Sequence, residues 1–440
     1  MVGDIMKKLI GWIVIIIFSI TTVFLVGKNN NQYSISCTDK KIEVQLKYKG
    51  LENSVDFTKD NEDSYYIAFK DKIVIIEKNG KSYVVIEDNN FNIWSIEYFN
   101  NKLYIATNDK VISYDLKSKQ IDTCIENIPN YGDFPRMLMK IKGEYLFVTV
   151  GSATNSGVVG PDNSWISSYP NHHDYTSKKI TLKGLSFGEN NNGAFVPNGI
   201  QNIKGQIIEG NSIGNSTILI YNLTTKAYET FAWGIRNING LDFSSEGKIY
   251  ATVGGMENRG LRPVINDSDY IYEVKKGVWH GFPDFTGGDP INSPRFGDQQ
   301  GKVNDFLLEK HPGSNPPAPI YQHNEVTSLG AFCIDAKGAL ANKDTMFFYD
   351  KICNEILSLN MKERPKSLVQ LGSKSSIANM KMVDDKLVIL ENNAGILYTM
   401  KLNENKDSAY MKNNLYISLL VVTLTSIVSI ILLLLRRKYK

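Results

Sequence analysis

One phrase recurs along this chain: an apolar-aromatic run, a turn built on Lys, Gly, Asn or Asp, then a second run rich in Tyr, Ile and Val. It reads YYIAFKDKIVIIEK from Tyr65, WSIEYFNNKLYIATN from Trp94 and LMKIKGEYLFVTVGS from Leu138, then GLDFSSEGKIYATVGG from Gly240, GAFCIDAKGAL from Gly330 and MKMVDDKLVILEN from Met380. Short runs of this kind between turn residues are strands joined as hairpins. Similar hairpins repeated along a chain point to the blades of a β-propeller, an all-β fold. The spacing is uneven, and the long intervals 151–235 and 256–329 read as insertions, so period alone does not set the number of blades. A pair of β-sandwiches with decorated loops is the alternative.

Two segments at the ends do not fit a soluble all-β domain. Leu9 to Val26 is almost wholly apolar and follows Lys7 and Lys8. At roughly 1.5 Å per residue it is long enough to cross a bilayer core as a helix. Leu415 to Leu435 is a second apolar run, closed by Arg436, Arg437, Lys438 and Lys440. The positive-inside rule places both basic clusters in the cytoplasm. The expected order is a cytoplasmic N-terminus (1–8), a transmembrane helix or signal anchor (9–27), an extracytoplasmic propeller domain (28–405), a linker (406–414), a transmembrane helix (415–435) and a basic cytoplasmic tail (436–440). The formal charge of +3 over 440 residues is too near balance for a nucleic-acid partner. Four cysteines, none in a Cys-Xaa-Xaa-Cys pair, argue against a zinc site. In an exported domain Cys333 with Cys353 is the disulfide that sequence proximity favours, with free buried thiols as the alternative.

Trp233 to Asp289 holds the densest run of special residues, with glycines, carboxylates and the element WHGFPD. Of eight arginines, four (Arg236, Arg259, Arg262 and Arg295) fall in or just after it. A chain that uses lysine for general surface charge turns to arginine where a planar, bidentate donor is needed.

WGIRNINGLDFSSEGKIYAT resembles a motif of the soluble glucose and sorbosone dehydrogenases, Gly-Xaa-Arg-Asn-Pro-Xaa-Gly-Leu-Ala-Phe followed by Asp-Gly-Xaa-Leu-Tyr. VWHGFPDF resembles that family's Asn-Tyr-Gly-Trp-Pro element. GAFVPNGIQNIKGQIIEG from Gly193, ENRGLRPVINDSDYIYEV from Glu257 and KHPGSNPPAPI from Lys310 resemble a membrane-associated bacterial branch. The resemblance covers roughly Arg136 to Asp335. It implies a six-bladed β-propeller, here flanked by the two transmembrane helices, that uses pyrroloquinoline quinone and calcium. It also implies that Arg236 faces cofactor or substrate as a catalytic and cofactor-binding residue, with Asn237, Arg259 and Arg262 completing the cofactor pocket. A structural arginine bonding loop carbonyls is the alternative for Arg236.

The family's base is a histidine just before a blade strand, but here that stretch reads YGDFPRMLMKIKGEYLFVTVGS. Asp133 stands nearest and is the candidate base if burial raises its pKa, against a plain turn-forming aspartate. His172 and His173 lie in a polar insertion and read as a solvated loop. His280 reads as a packed aromatic, and His311 and His323 have no ligand spacing. The resemblance places calcium near the carbonyls of Gly254 and Gly255, with Asp269 among the neighbouring oxygen donors.

The expected function is a membrane-anchored, extracytoplasmic oxidoreductase that oxidises a small-molecule sugar or aldose and passes electrons to a membrane acceptor. The alternative is a catalytically inactive propeller of the same ancestry that binds a surface glycan or a protein. Cofactor binding by the purified protein separates the two. No Gly-Xaa-Ser-Xaa-Gly signal or paired carboxylates support a hydrolase.

Overall fold

A computed structural model describes residues 35–313, 315–361 and 363–403. Six antiparallel sheets follow one another along the chain. Blade 1 runs from Asp56–Lys59 through Ser82–Glu87, and blade 2 from Ile93–Phe99 through Ile121–Ile125. Blade 3 combines Met139–Lys142 and Tyr145–Val150 with Thr217–Asn222 and Tyr228–Trp233. Blade 4 is built from Ile238–Phe243, Ile249–Val253, Tyr270–Val274 and Tyr321–Gln322. Blade 5 runs from Leu329–Asp335 to Lys366–Gln370, with Ser36–Cys37 added at its edge. Blade 6 takes Ile377–Val383, Lys386–Glu391 and Ile396–Leu402, and is completed by Ile42–Tyr48 from the other end of the chain. That exchange closes the ring, because the last sheet takes its fourth strand from the beginning of the propeller.

Local chemistry explains the hairpins. Asn100 and Asn101, between the first two strands of blade 2, both have positive φ, as do Asp384 and Asp385 at the same place in blade 6. Two consecutive left-handed residues make the two-residue turn that matches strand twist, and Asn and Asp tolerate it best after glycine. The core lies between the blades. Apolar clusters join neighbouring blades: Phe347 and Tyr349 of blade 5 meet Leu387 and Ile389 of blade 6, and Phe57 and Ile67 of blade 1 meet Val388 and Leu390. Blades therefore stabilise one another, as stacked sheets must when each has two apolar faces.

The six recurring phrases fall one to a blade. The intervals read as insertions are shorter than expected, because TILIYN and YETFAW (217–233) form the outer half of blade 3 and YIYEV (270–274) is a strand of blade 4. The true insertions are 151–216 in blade 3, and 254–269 and 275–320 in blade 4. The two from opposite sides of the boundary pack together, with Val158, Leu182 and Phe195 against Trp279, Leu307 and Leu308.

The expected spans 9–27 and 415–435, and the limits 28 and 405 of the domain, lie outside the described residues. Among the described residues no helix is long and apolar enough to cross a membrane. The cysteine pairing is corrected: Cys333 and Cys353 are not joined and both are free thiols. Cys333 points into the packing between blades 5 and 6, whereas Cys353 is exposed on a turn.

Candidate functional site

Antiparallel strands put every blade-to-blade crossover, and every turn from a second to a third strand, at the same end of the ring. The crossover into blade 4 carries Arg236. Gly234 takes φ +69 there, and an added Cβ would lie 2.3 Å from the Trp279 ring, so only glycine lets the loop pass. Arg236 is 4% exposed. Its Nε donates to the Asn155 carbonyl at 2.8 Å, and its Nη2 donates to Asn155 Oδ1 at 2.7 Å and Glu257 Oε1 at 2.8 Å. Its Nη1 makes a long 3.4 Å contact to the Gly254 carbonyl, and the guanidinium lies 4.3 Å over the Phe134 ring. Burial draws its pKa down and Glu257 opposes this.

Glu257 links Arg236 to Arg259. Burial disfavours its charge, but the two arginines outweigh burial and hold it below the usual carboxylate range. Arg259 also donates to Asp162 at 2.6 Å and to Asp133 at 2.7 Å. Asp133 accepts in addition from Asn163 Nδ2 at 2.9 and 3.0 Å and from Trp165 Nε1 at 2.8 Å. Both its oxygens are thus occupied by donors.

Arg262 is placed elsewhere. It is fully enclosed, donating to the carbonyls of Ser156, Pro283 and Asp305 and to Asp284 Oδ1. Asp284 in turn accepts from the amides of Leu307 and Leu308 and faces His311 Nε2 at 3.1 Å. This arginine ties insertion 275–320 to insertion 151–216.

Asn237 donates to Asn239 Oδ1 at 3.1 Å. Gly255 is fixed close to its neighbours, since an added Cβ would lie 2.0 Å from the Ser268 carbonyl. Its amide and those of Thr327, Ser328 and Leu329 all donate to Asp269. Burial raises the Asp269 pKa against these bonds. Among the described residues, the three groups that come close enough to share a metal are Asp350, Cys353 and Glu355, a set that does not include Asp269.

Two further cations converge on the axis. Arg136, at the entry to blade 3, donates through Nη2 to the Ala378 carbonyl of blade 6 at 2.9 Å. Blades 3 and 6 are opposite in a six-membered ring, so this bond crosses the axis. Lys351 follows the second strand of blade 5; its amide bonds Ser328, and its side chain passes over Gly330. It is open to solvent, yet surrounding protein pulls its pKa down, with Asp269 opposing and Arg136 adding. Its place after a second strand puts it at the crossover end of the ring, the end that also carries Arg136 and Arg236. Among the described residues neither cation has a carboxylate within ion-pair distance. Sequence reasoning passed over both: Arg136 lies outside the arginine-rich stretch, and Lys351 is one lysine among many.

His172 and His173 are not in a solvated loop. His172 is buried among Tyr131, Trp165 and Tyr175, with its pKa lowered to about 4 by burial and by His173. His173 packs on Tyr175. His280 is a packed aromatic as expected, set edge-on to Tyr272.

Comparison with known proteins supports the fold. No family model and no curated protein sequence matches the chain. Among solved structures it is similar to an AA12 carbohydrate-active enzyme of Trichoderma reesei, at 14% identity and TM-score 0.56, covering 84% of this chain and 98% of that one. It is also similar to the holo PQQ domain of pyranose dehydrogenase from Coprinopsis cinerea, at 13% identity and TM-score 0.54, covering 84% and 97%. The soluble aldose sugar dehydrogenase of Escherichia coli aligns at 10% identity and TM-score 0.53, covering 82% and 100%. These likenesses show a six-bladed β-propeller as the fold of this chain.

Proposed function

We propose that the chain is a membrane-anchored, extracytoplasmic sugar dehydrogenase that takes pyrroloquinoline quinone and calcium at the axial funnel and oxidises an aldose. The observation that carries this reading is the pair Arg136 and Lys351. Two cations without carboxylate partners among the described residues, held at the end of the ring that also carries Arg236, favour a polyanionic ligand, because charge left uncompensated in a protein cleft is costly. The quinone bears three carboxylates, and when bound it supplies the acceptor for hydride from the sugar carbon.

The chain's own residues divide the remaining tasks. Arg136, Lys351 and Arg236 hold the carboxylates, and Asn237 presents an amide beside them. The carbonyls of Gly254 and Gly255 offer calcium the hard oxygen it prefers. Asp269 fixes that loop through its four amide bonds. Arg259 sets Glu257, Asp133 and Asp162 in register, and Arg262 props the insertion that walls the site. Asp133 accepts the sugar hydroxyl proton once Arg259 frees one of its oxygens. Segments 9–27 and 415–435 anchor the domain, and electrons leave to an acceptor in the membrane.

The test is reduction of an artificial acceptor by the full chain, supplied with quinone and calcium, across a panel of aldoses. Turnover that Arg236→Ala removes is expected, and no turnover with any aldose overturns the enzyme reading. A second reading is a propeller that binds a carbohydrate or protein at the cell surface without oxidising it. The arginine lock on Asp133 favours it, because both carboxylate oxygens already accept hydrogen bonds from Asn163, Trp165 and Arg259 and leave little room for a substrate hydroxyl.

A further inference from the structure

A groove of about 770 Å³ opens at the boundary of blades 2 and 3. It falls within the roughly 300–1,000 Å³ typical of small-ligand sites. Its walls come from the turn of blade 2 at Asp109, the blade 2–3 crossover, insertion 151–216 and Tyr228 of the outer strand of blade 3. They share no residue with the funnel set of Arg136, Arg236, Asn237, Gly254 and Lys351. Ile128 and Ile213 are buried at its floor.

Two features of the lining define a ligand. The first is aromatic. Tyr131 and Tyr169 stack with ring centroids 4.5 Å apart, and the Tyr131 hydroxyl is fixed by a 2.7 Å bond to Asp109 Oδ2. Tyr169 and Tyr228 leave 43% and 39% of their surface open. Open tyrosine faces beside fixed ones suit the C–H face of a sugar ring, which is apolar on one side and rimmed with hydroxyls. The second feature is polar. Asp109, Glu126, Asn127, Asn171 and Asn211 supply carboxylate and amide groups, which both accept from and donate to hydroxyls. Among the described residues Glu126 has no ion-pair partner.

Charge narrows the class. The lining contains no lysine or arginine and two carboxylates, so an acidic sugar or a quinone carboxylate meets repulsion there. The funnel has the opposite character. We propose that this groove binds a saccharide chain free of acidic groups, neutral or amino-substituted, at a site independent of the cofactor.

The experiment is calorimetry on the full chain without quinone, titrated with a neutral β-1,4-glucan tetramer, its 2-amino-2-deoxy counterpart, and an α-1,4-galacturonan tetramer. One or both of the first two bind, and which of them binds identifies the sugar class. Tyr169→Ala and Tyr228→Ala each weaken that binding about tenfold, while the double variant Arg136→Ala/Lys351→Ala leaves it unchanged. Both tyrosines are on the surface, so neither change threatens the fold. Binding of the galacturonan alone, binding of none of the three, or an affinity that ignores both tyrosine changes would overturn the proposal.

Discussion

Arg236 and Arg262 are 26 positions apart in one arginine-rich stretch and read alike in sequence, yet their surroundings separate them. Arg262 meets three carbonyls and Asp284 with no open side. Arg262→Met leaves Asp284 buried without its cation, and a loss of about 3–5 kcal/mol is expected in urea unfolding; a loss below about 1 kcal/mol would refute the strut. Lys351→Ala is the contrasting case, because it removes an open side chain. Its stability is expected to stay within roughly 0.5 kcal/mol of the parent while quinone affinity falls. Asp133→Asn tests the proton acceptor: with quinone affinity retained, kcat is expected to drop by at least about a hundredfold, and an unchanged kcat assigns Asp133 to positioning alone. The candidate pair Arg236 and Asn237 could be picked out of the sequence because its motif is contiguous. Arg136 and Lys351 could not, because they belong to blades 3 and 5 and come together only when the ring closes, which is not written in any local spacing.

The hairpins at Asn100–Asn101 and Asp384–Asp385 were visible because turn chemistry is local, and their φ values bear it out. The outer hairpin of blade 3 was absorbed into an insertion, since its partner strand Tyr145–Val150 precedes it by more than 60 residues. Sequence contiguity cannot report a pairing of that span. The same logic applies to packing. Phe347 is fully buried between blades 5 and 6, and Phe347→Ala is expected to cost about 3–5 kcal/mol, read as a lowered thermal midpoint. A change under about 1 kcal/mol would place the core elsewhere.

Because the last blade borrows Ile42–Tyr48, the ring stands or falls as a unit, and its response to acid sums over buried groups. His172 and His280 have pKa values lowered to about 4, chiefly by burial. Their stabilisation as neutral rings is complete above the unfolded value of about 6.5 and is lost as pH falls toward 4, on the order of 3 kcal/mol each. Asp174 runs the other way: burial, with Asp133 adding, raises it to about 6. Its contribution is present at pH below the unfolded value and is lost as pH rises through 6. Two opposed by one leaves a net loss between pH 6.5 and 4, and His280→Phe is expected to flatten that slope; an unchanged slope would contradict the assignment. The central claim concerns the funnel, and calorimetric titration of pyrroloquinoline quinone with calcium into the full chain tests it most directly. One-to-one binding that weakens at least about tenfold in Arg136→Ala/Lys351→Ala is expected. Absence of binding, or equal binding by the double variant, would contradict it.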